Sequence, residues 1–138
     1  MRIVSYGVAC SLDGFIAGPH GEIDWLHFST DVEEIMKSYW TSIDTMVMGR
    51  KTWDATVAMG GGGGSSTIAT HVFSRTLKEG THLGVQIVSS DPGEFVRALK
   101  RTPGGDICVM GGGELAQTLF AAGFCPFCPL SVHSVHWT

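Results

Sequence analysis

DICVMGGGELAQTLFAAG, residues 106–123, decides the fold. Ile107 to Met110 form a short apolar run of strand character, and three glycines follow at once. Beyond them GGELAQTLFAAG has helical character, stopped by Gly123. A buried strand that hands over directly to a helix is half of a βαβ unit. Working outward, the same event recurs: IDTMVMG (43–49) is a buried strand and RKTWDATVAM (50–59) a short helix. THVFS (70–74) and VQIVS (85–89) are further strands. Asp91-Pro92-Gly93-Glu94 then starts a helix, with an N-cap acid, proline in the first turn, and Phe95, Val96 and Leu99 on the inner face. Upstream, RIVSYGVAC (2–10) is the first strand. Val32, Ile35, Met36, Tyr39, Trp40 and Ile43 mark the inner face of a helix capped by Thr30 or Asp31. Strands alternating with helices predict an α/β protein with a mainly parallel central sheet and right-handed crossovers.

The length, 138 residues, suits one domain (1–138) with its own core. The net charge of −4 argues against a general binder of nucleic-acid backbone. No window is long and apolar enough for a membrane span, and Asp13 interrupts an N-terminal apolar run too short for a signal peptide. The expected address is the cytoplasm. Cys10 and Cys108 lie in strand-like runs and are expected in the core.

Two glycine runs need separate treatment. Gly60 to Gly64 follows a helix and leads into Ser65-Ser66, the composition of a slack connector. Gly111-Gly112-Gly113 joins a strand to a helix, where bare backbone N–H groups and the helix dipole suit an anion. A tight turn that needs glycine conformations explains the same run equally well. Gly49-Arg50-Lys51-Thr52 stands at another strand end with two cations and a hydroxyl, and Ser74-Arg75-Thr76 at a third. A forked guanidinium, a point cation and free N–H groups suit phosphates, and the count of anion sites fits NADP better than NAD.

With these residues in hand, the chain resembles the dihydrofolate-reductase-like superfamily, in the branch of the reductase domain of bacterial riboflavin-biosynthesis proteins. SLDGFIAGPHGEIDWL, MVMGRKTWD, HVFSRTL and ICVMGGGELAQTLFAAG carry the likeness, in family order. The resemblance implies a three-layer fold and an NADPH-dependent reductase, with hydride transfer to a pterin-like or pyrimidine-like substrate. The riboflavin-pathway member is 5-amino-6-(5-phosphoribosylamino)uracil reductase, but the cations its ribose phosphate needs are not located here. By position, Ala9 and Ile16 would flank the nicotinamide, and Gly49, Arg50, Lys51 and Thr52 would hold the pyrophosphate and adenosine phosphate. Ser74 and Arg75 would sit near the 2′-phosphate, and Gly111, Gly112, Gly113 and Glu114 would form the pyrophosphate turn. Relatives often have a cis bond in this glycine pair, which makes Gly112 the candidate. A homodimer is expected.

For the proton, the resemblance points to a helix carboxylate, which lands on Glu33. Against it stands an exposed pair with Lys37, four residues on, and Asp13 is a rival that could equally hold its own turn. After Gly123 the pattern departs from the family: FCPFCPLSVHSVHWT (124–138) is an atypical tail whose LSVH has strand character, and the final antiparallel strands are expected to be missing. Cys125, Cys128, His133 and His136 have ligand types suited to zinc, yet a strand would point the two histidines apart, so no metal is assigned. A nucleotide-binding module without turnover is the alternative function, and a zinc-dependent interaction module a remoter one.

Overall fold

The computed structural model describes residues 2–6, 8–11, 13–15, 17–22, 24–25, 29–60, 67–124 and 130–133, the last four, Val8, Ala9 and His82 by backbone alone. Its elements are β1 (Val4–Tyr6), β2 (Val8–Ser11), α1 (Thr30–Ser42), β3 (Ile43–Gly49), α2 (Arg50–Ala58) and β4 (Ala69–Phe73). They continue with β5 (Gly80–His82), β6 (Val85–Val88), α3 (Pro92–Arg101), β7 (Asp106–Gly111), α4 (Gly113–Ala121) and β8 (Leu130–His133).

Six strands form one sheet in the order β1-β7-β3-β4-β6-β5, parallel throughout except for the β5–β6 pair. A second sheet pairs β2 with β8 in parallel. The expected first strand is therefore two: β1 leans on β7, whereas β2 leans on β8. The sequence does not distinguish them because the partners lie more than a hundred residues downstream of Val4 and Val8. LSVH does form a strand, and among the described residues β5–β6 is the sole antiparallel pair.

Strand alternation divides the core between two faces. Val47 faces a cluster with Val4, Phe73, Val88, Val96, Ile107, Val109, Leu115 and Leu119, which α3 and α4 cover. Met48, with Val72, Val85 and Ile87, faces Trp53 of α2. Cys10 and Cys108 are buried, as small apolar residues in such runs should be. The start of α3 follows its sequence signature: Asp91 caps it by accepting the Glu94 N–H at 3.0 Å, with Pro92 in the first turn.

Helix α1 differs from its expectation. Ser29, not Thr30 or Asp31, is the cap, accepting the Val32 N–H. None of its residues is buried, and Ile35 and Met36 are exposed. Ile43 belongs to β3. The helix is pinned to the sheet by the Tyr39 hydroxyl, 2.6 Å from Ser5 Oγ, where burial and contact with Cys108 push the phenol's pKa upward.

Candidate functional site

Because β7, β3 and β4 are parallel neighbours, their carboxyl ends lie side by side: Gly49 pairs with Phe73, and Met48 with Gly111. Ligands of open α/β sheets bind at such ends. Helices α2 and α4 begin there, with Gly49 and Gly112 as N-caps that offer no side-chain acceptor. Two helix N-termini thus leave their first N–H groups without a side-chain cap at adjoining strand tips.

The glycines at this point separate into two kinds. Gly111 has φ +117°, a conformation other residues rarely adopt, and its bond to Gly112 is cis, the pair to which the resemblance pointed. Gly49 and Gly112 have ordinary extended backbones. A Cβ on Gly49 would stand 3.7 Å from Gly111 O, one on Gly112 would stand 3.6 Å from Thr52 Oγ1, and one on Gly113 would meet nothing within 4 Å. Among the described residues nothing requires these three to be glycine. The tight turn accounts for Gly111 alone.

Side chains complete the rim. Lys51 Nζ and Glu114 Oε1 are 3.8 Å apart, both almost fully exposed. Arg50 turns along its own helix to Asp54, Nε to Oδ1 2.8 Å, with 37% of its side chain exposed. At the tip of β4, Ser74 is buried and its Oγ accepts the N–H groups of Thr76 and Leu77 at 3.3 and 3.1 Å. Its hydroxyl therefore builds the turn that presents Arg75. Arg75 is exposed and makes no ion pair with a described residue.

Neither candidate carboxylate forms an ion pair with a described residue of these strand tips. Asp13 is exposed and accepts the Ser11 hydroxyl, which also accepts the Phe15 N–H, so Asp13 does hold its turn. Glu33, in the first turn of α1, borders an open groove of about 790 Å³ with Met36, Lys37, Trp40 and Thr41. It forms no ion pair with Lys37. Ala9 lies in β2, whose side chain there is not described, and Ile16 falls outside the described residues. So do Gly61–Gly64 of the slack connector and, of the zinc candidates, Cys125, Cys128 and His136; His133 is described by backbone alone.

One residue escaped sequence reasoning. Arg2 is buried at the opposite end of the sheet and uses all five guanidinium N–H groups. Nε donates to Gly105 O (2.7 Å), Nη1 to Leu99 O and Thr102 Oγ1, and Nη2 to Asp44 Oδ1 and Thr45 Oγ1. The Gly105 N–H, the Thr45 hydroxyl and the Arg2 charge hold the Asp44 carboxyl below its ordinary pKa. Its partners are scattered along the chain, so no local pattern marks it.

A mainly parallel sheet between helical layers, with glycines at its carboxyl-end tips, is an α/β fold of the dihydrofolate-reductase-like kind. More narrowly, the chain belongs to the RibD C-terminal domain family, whose model matches residues 2–125. It is 30% identical to "Uncharacterized protein YyaP" of Bacillus subtilis (strain 168), over 97% of this chain and 76% of that protein. It is 28% identical to "Uncharacterized protein YwjB" of the same organism, over 80% of this chain and 64% of that one. Among solved structures, the "Putative riboflavin biosynthesis protein" of Shewanella sp. PV-4 superposes with a TM-score of 0.74 at 23% identity, covering 99% of this chain and 78% of that one. Dihydrofolate reductase from Enterococcus faecalis, complexed with NADP(H) and RAB-propyl, does so with a TM-score of 0.65 at 20% identity, over 99% and 72%. These two likenesses establish the fold.

Proposed function

We propose that the chain is an NADP-dependent reductase acting on a pterin-like or pyrimidine-like small molecule, in the cytoplasm and as a homodimer. The observation that carries the reading is the set of glycines for which the described residues give no internal cause. Gly49, Gly112 and Gly113 put no side chain over the backbone beside two helix N-termini that lack side-chain caps, and a dinucleotide pyrophosphate is the ligand that such a surface suits. The NADP(H) in the Enterococcus reductase supports the choice of cofactor.

In this reading Gly49, Gly111, Gly112 and Gly113 cradle the pyrophosphate, the Thr52 hydroxyl adds a donor, and Arg50 and Lys51 add charge. The turn built by Ser74 presents Arg75 to the 2′-phosphate, and Ala9 and Ile16 flank the nicotinamide. When bound, NADPH supplies the hydride. The protein's part is to fix the ring against its acceptor and to keep a proton source near, for which Asp13 and Glu33 are the candidates. Both carboxylates are exposed, and this favours, as the second reading, a module that binds the cofactor without turnover.

Titration with NADPH and NADH tests the proposal. NADPH should bind in the micromolar range, and Arg75→Ala should weaken NADPH by roughly tenfold or more while changing NADH little, as loss of one charge-assisted phosphate contact implies. A folded protein that ignores millimolar NADPH overturns the reading. Binding without oxidation in the presence of pterin, folate and pyrimidine acceptors selects the second reading.

A further inference from the structure

A carboxylate is an odd group to find on the rim of a phosphate cradle. Glu114 is the second residue of α4, as Lys51 is of α2, so equivalent positions of two helices face each other across the glycines. Their charged ends are 3.8 Å apart and open to water. The first turn of α2 carries no acid, and in the first turn of α4 the acid is Glu114. It therefore meets both positive features that an incoming phosphate would use, the α4 dipole and the Lys51 ammonium.

We propose that Glu114 is a built-in counter-anion of the cradle, which a dinucleotide must displace from Lys51 in order to bind. The proposal rests on the cofactor site described above and reverses the role that the resemblance gives Glu114: the carboxylate competes with the pyrophosphate instead of holding it. A doubly charged pyrophosphate outbids a single carboxylate for Lys51 and for the N–H groups. When the cofactor leaves, Glu114 takes back the ammonium, which lowers the cost of release. Glu114 thus tunes residence time and disfavours weakly charged ligands.

The experiment compares wild type with Glu114→Gln, which keeps the side chain's length and polarity but removes its charge. Dissociation constants for NADPH and for inorganic pyrophosphate should tighten about two- to fivefold, the range that exposed ion pairs span. The gain should shrink as salt is raised and should be smaller in a Lys51→Met background, where only the α4 dipole remains for Glu114 to neutralise. Weaker binding by Glu114→Gln, as expected of a carboxylate that hydrogen-bonds a ribose hydroxyl, overturns the proposal. So does an unchanged constant, or a gain that is undiminished in Lys51→Met. Failure of both wild type and variant to bind NADPH or pyrophosphate overturns the cofactor site itself, which a measurable but unfavourable ratio does not.

Discussion

Where the strands begin, Arg2 is buried and every guanidinium N–H has an acceptor in the chain; where they finish, Lys51 and Arg75 stand in water beside helix ends with no side-chain caps. Both ends are polar and both are built from the same parallel strands. They differ in where the hydrogen bonds go. A buried charge is tolerable only when fully paired, so the Arg2 end is closed by its own side chains. The other end presents exposed cations and two helix N-termini without side-chain caps, which is what the proposed cofactor site rests on.

The sharpest way to break this contrast is to open the closed end. Arg2→Met should destabilise the fold by about 3 kcal/mol, because Gly105 O, Leu99 O and Asp44 lose a shared donor. Chemical denaturation measures it, and a loss below about 1 kcal/mol would mean that the knot is slack. Next comes the open end. Gly113→Ala places a methyl group in free space at the start of a helix, so stability should hold or rise slightly, while NADPH binding should weaken by about tenfold. Unfolding curves and titrations on the same sample check both halves; a destabilised variant with normal affinity would reverse the assignment.

A smaller effect joins the two ends. His71 on β4 packs edge to face on Phe95, its Nδ1 buried without a hydrogen-bond partner among the described residues. Burial, then the positive charge of Arg2, lowers its pKa below the ordinary 6.5. The folded state thus binds fewer protons here than the unfolded chain, so stability rises with pH across this window. The contribution is complete above about pH 6.5 and is lost as pH falls towards the depressed folded value. His71→Phe should flatten that part of the stability–pH curve, and an unchanged slope would place the titration elsewhere.

What could be read from the sequence follows the range of each signal. β3, α2, β7, α4 and the start of α3 declare themselves within a few residues, through apolar runs, glycine stops and the Asp91-Pro92 cap. That Gly49-Arg50-Lys51 and Gly111-Gly112-Gly113 stand at adjoining strand ends was legible for the same reason: both stretches are local, and a parallel sheet brings such ends together. Arg2 was not, because its partners lie 42 to 103 positions away. Strand β5 is three residues, Gly80–His82, with too little pattern to register. The apolar stripe of α1 signalled a helix correctly but overstated its burial, since periodicity reports a face and not what covers it.

The position of β7 has a consequence for how the chain is made. Consecutive synthesis delivers β3, β4 and β6 as ready neighbours, but β1 can join them only through β7, which pairs Val4 with Ile107 on one side and Thr45 with Ile107 on the other. Strand β1 is therefore made about a hundred residues before the strand that seats it. Until β7 is made, Val4–Tyr6 has no partner in the six-stranded sheet, and β7 closes the slot between β1 and β3 like a keystone.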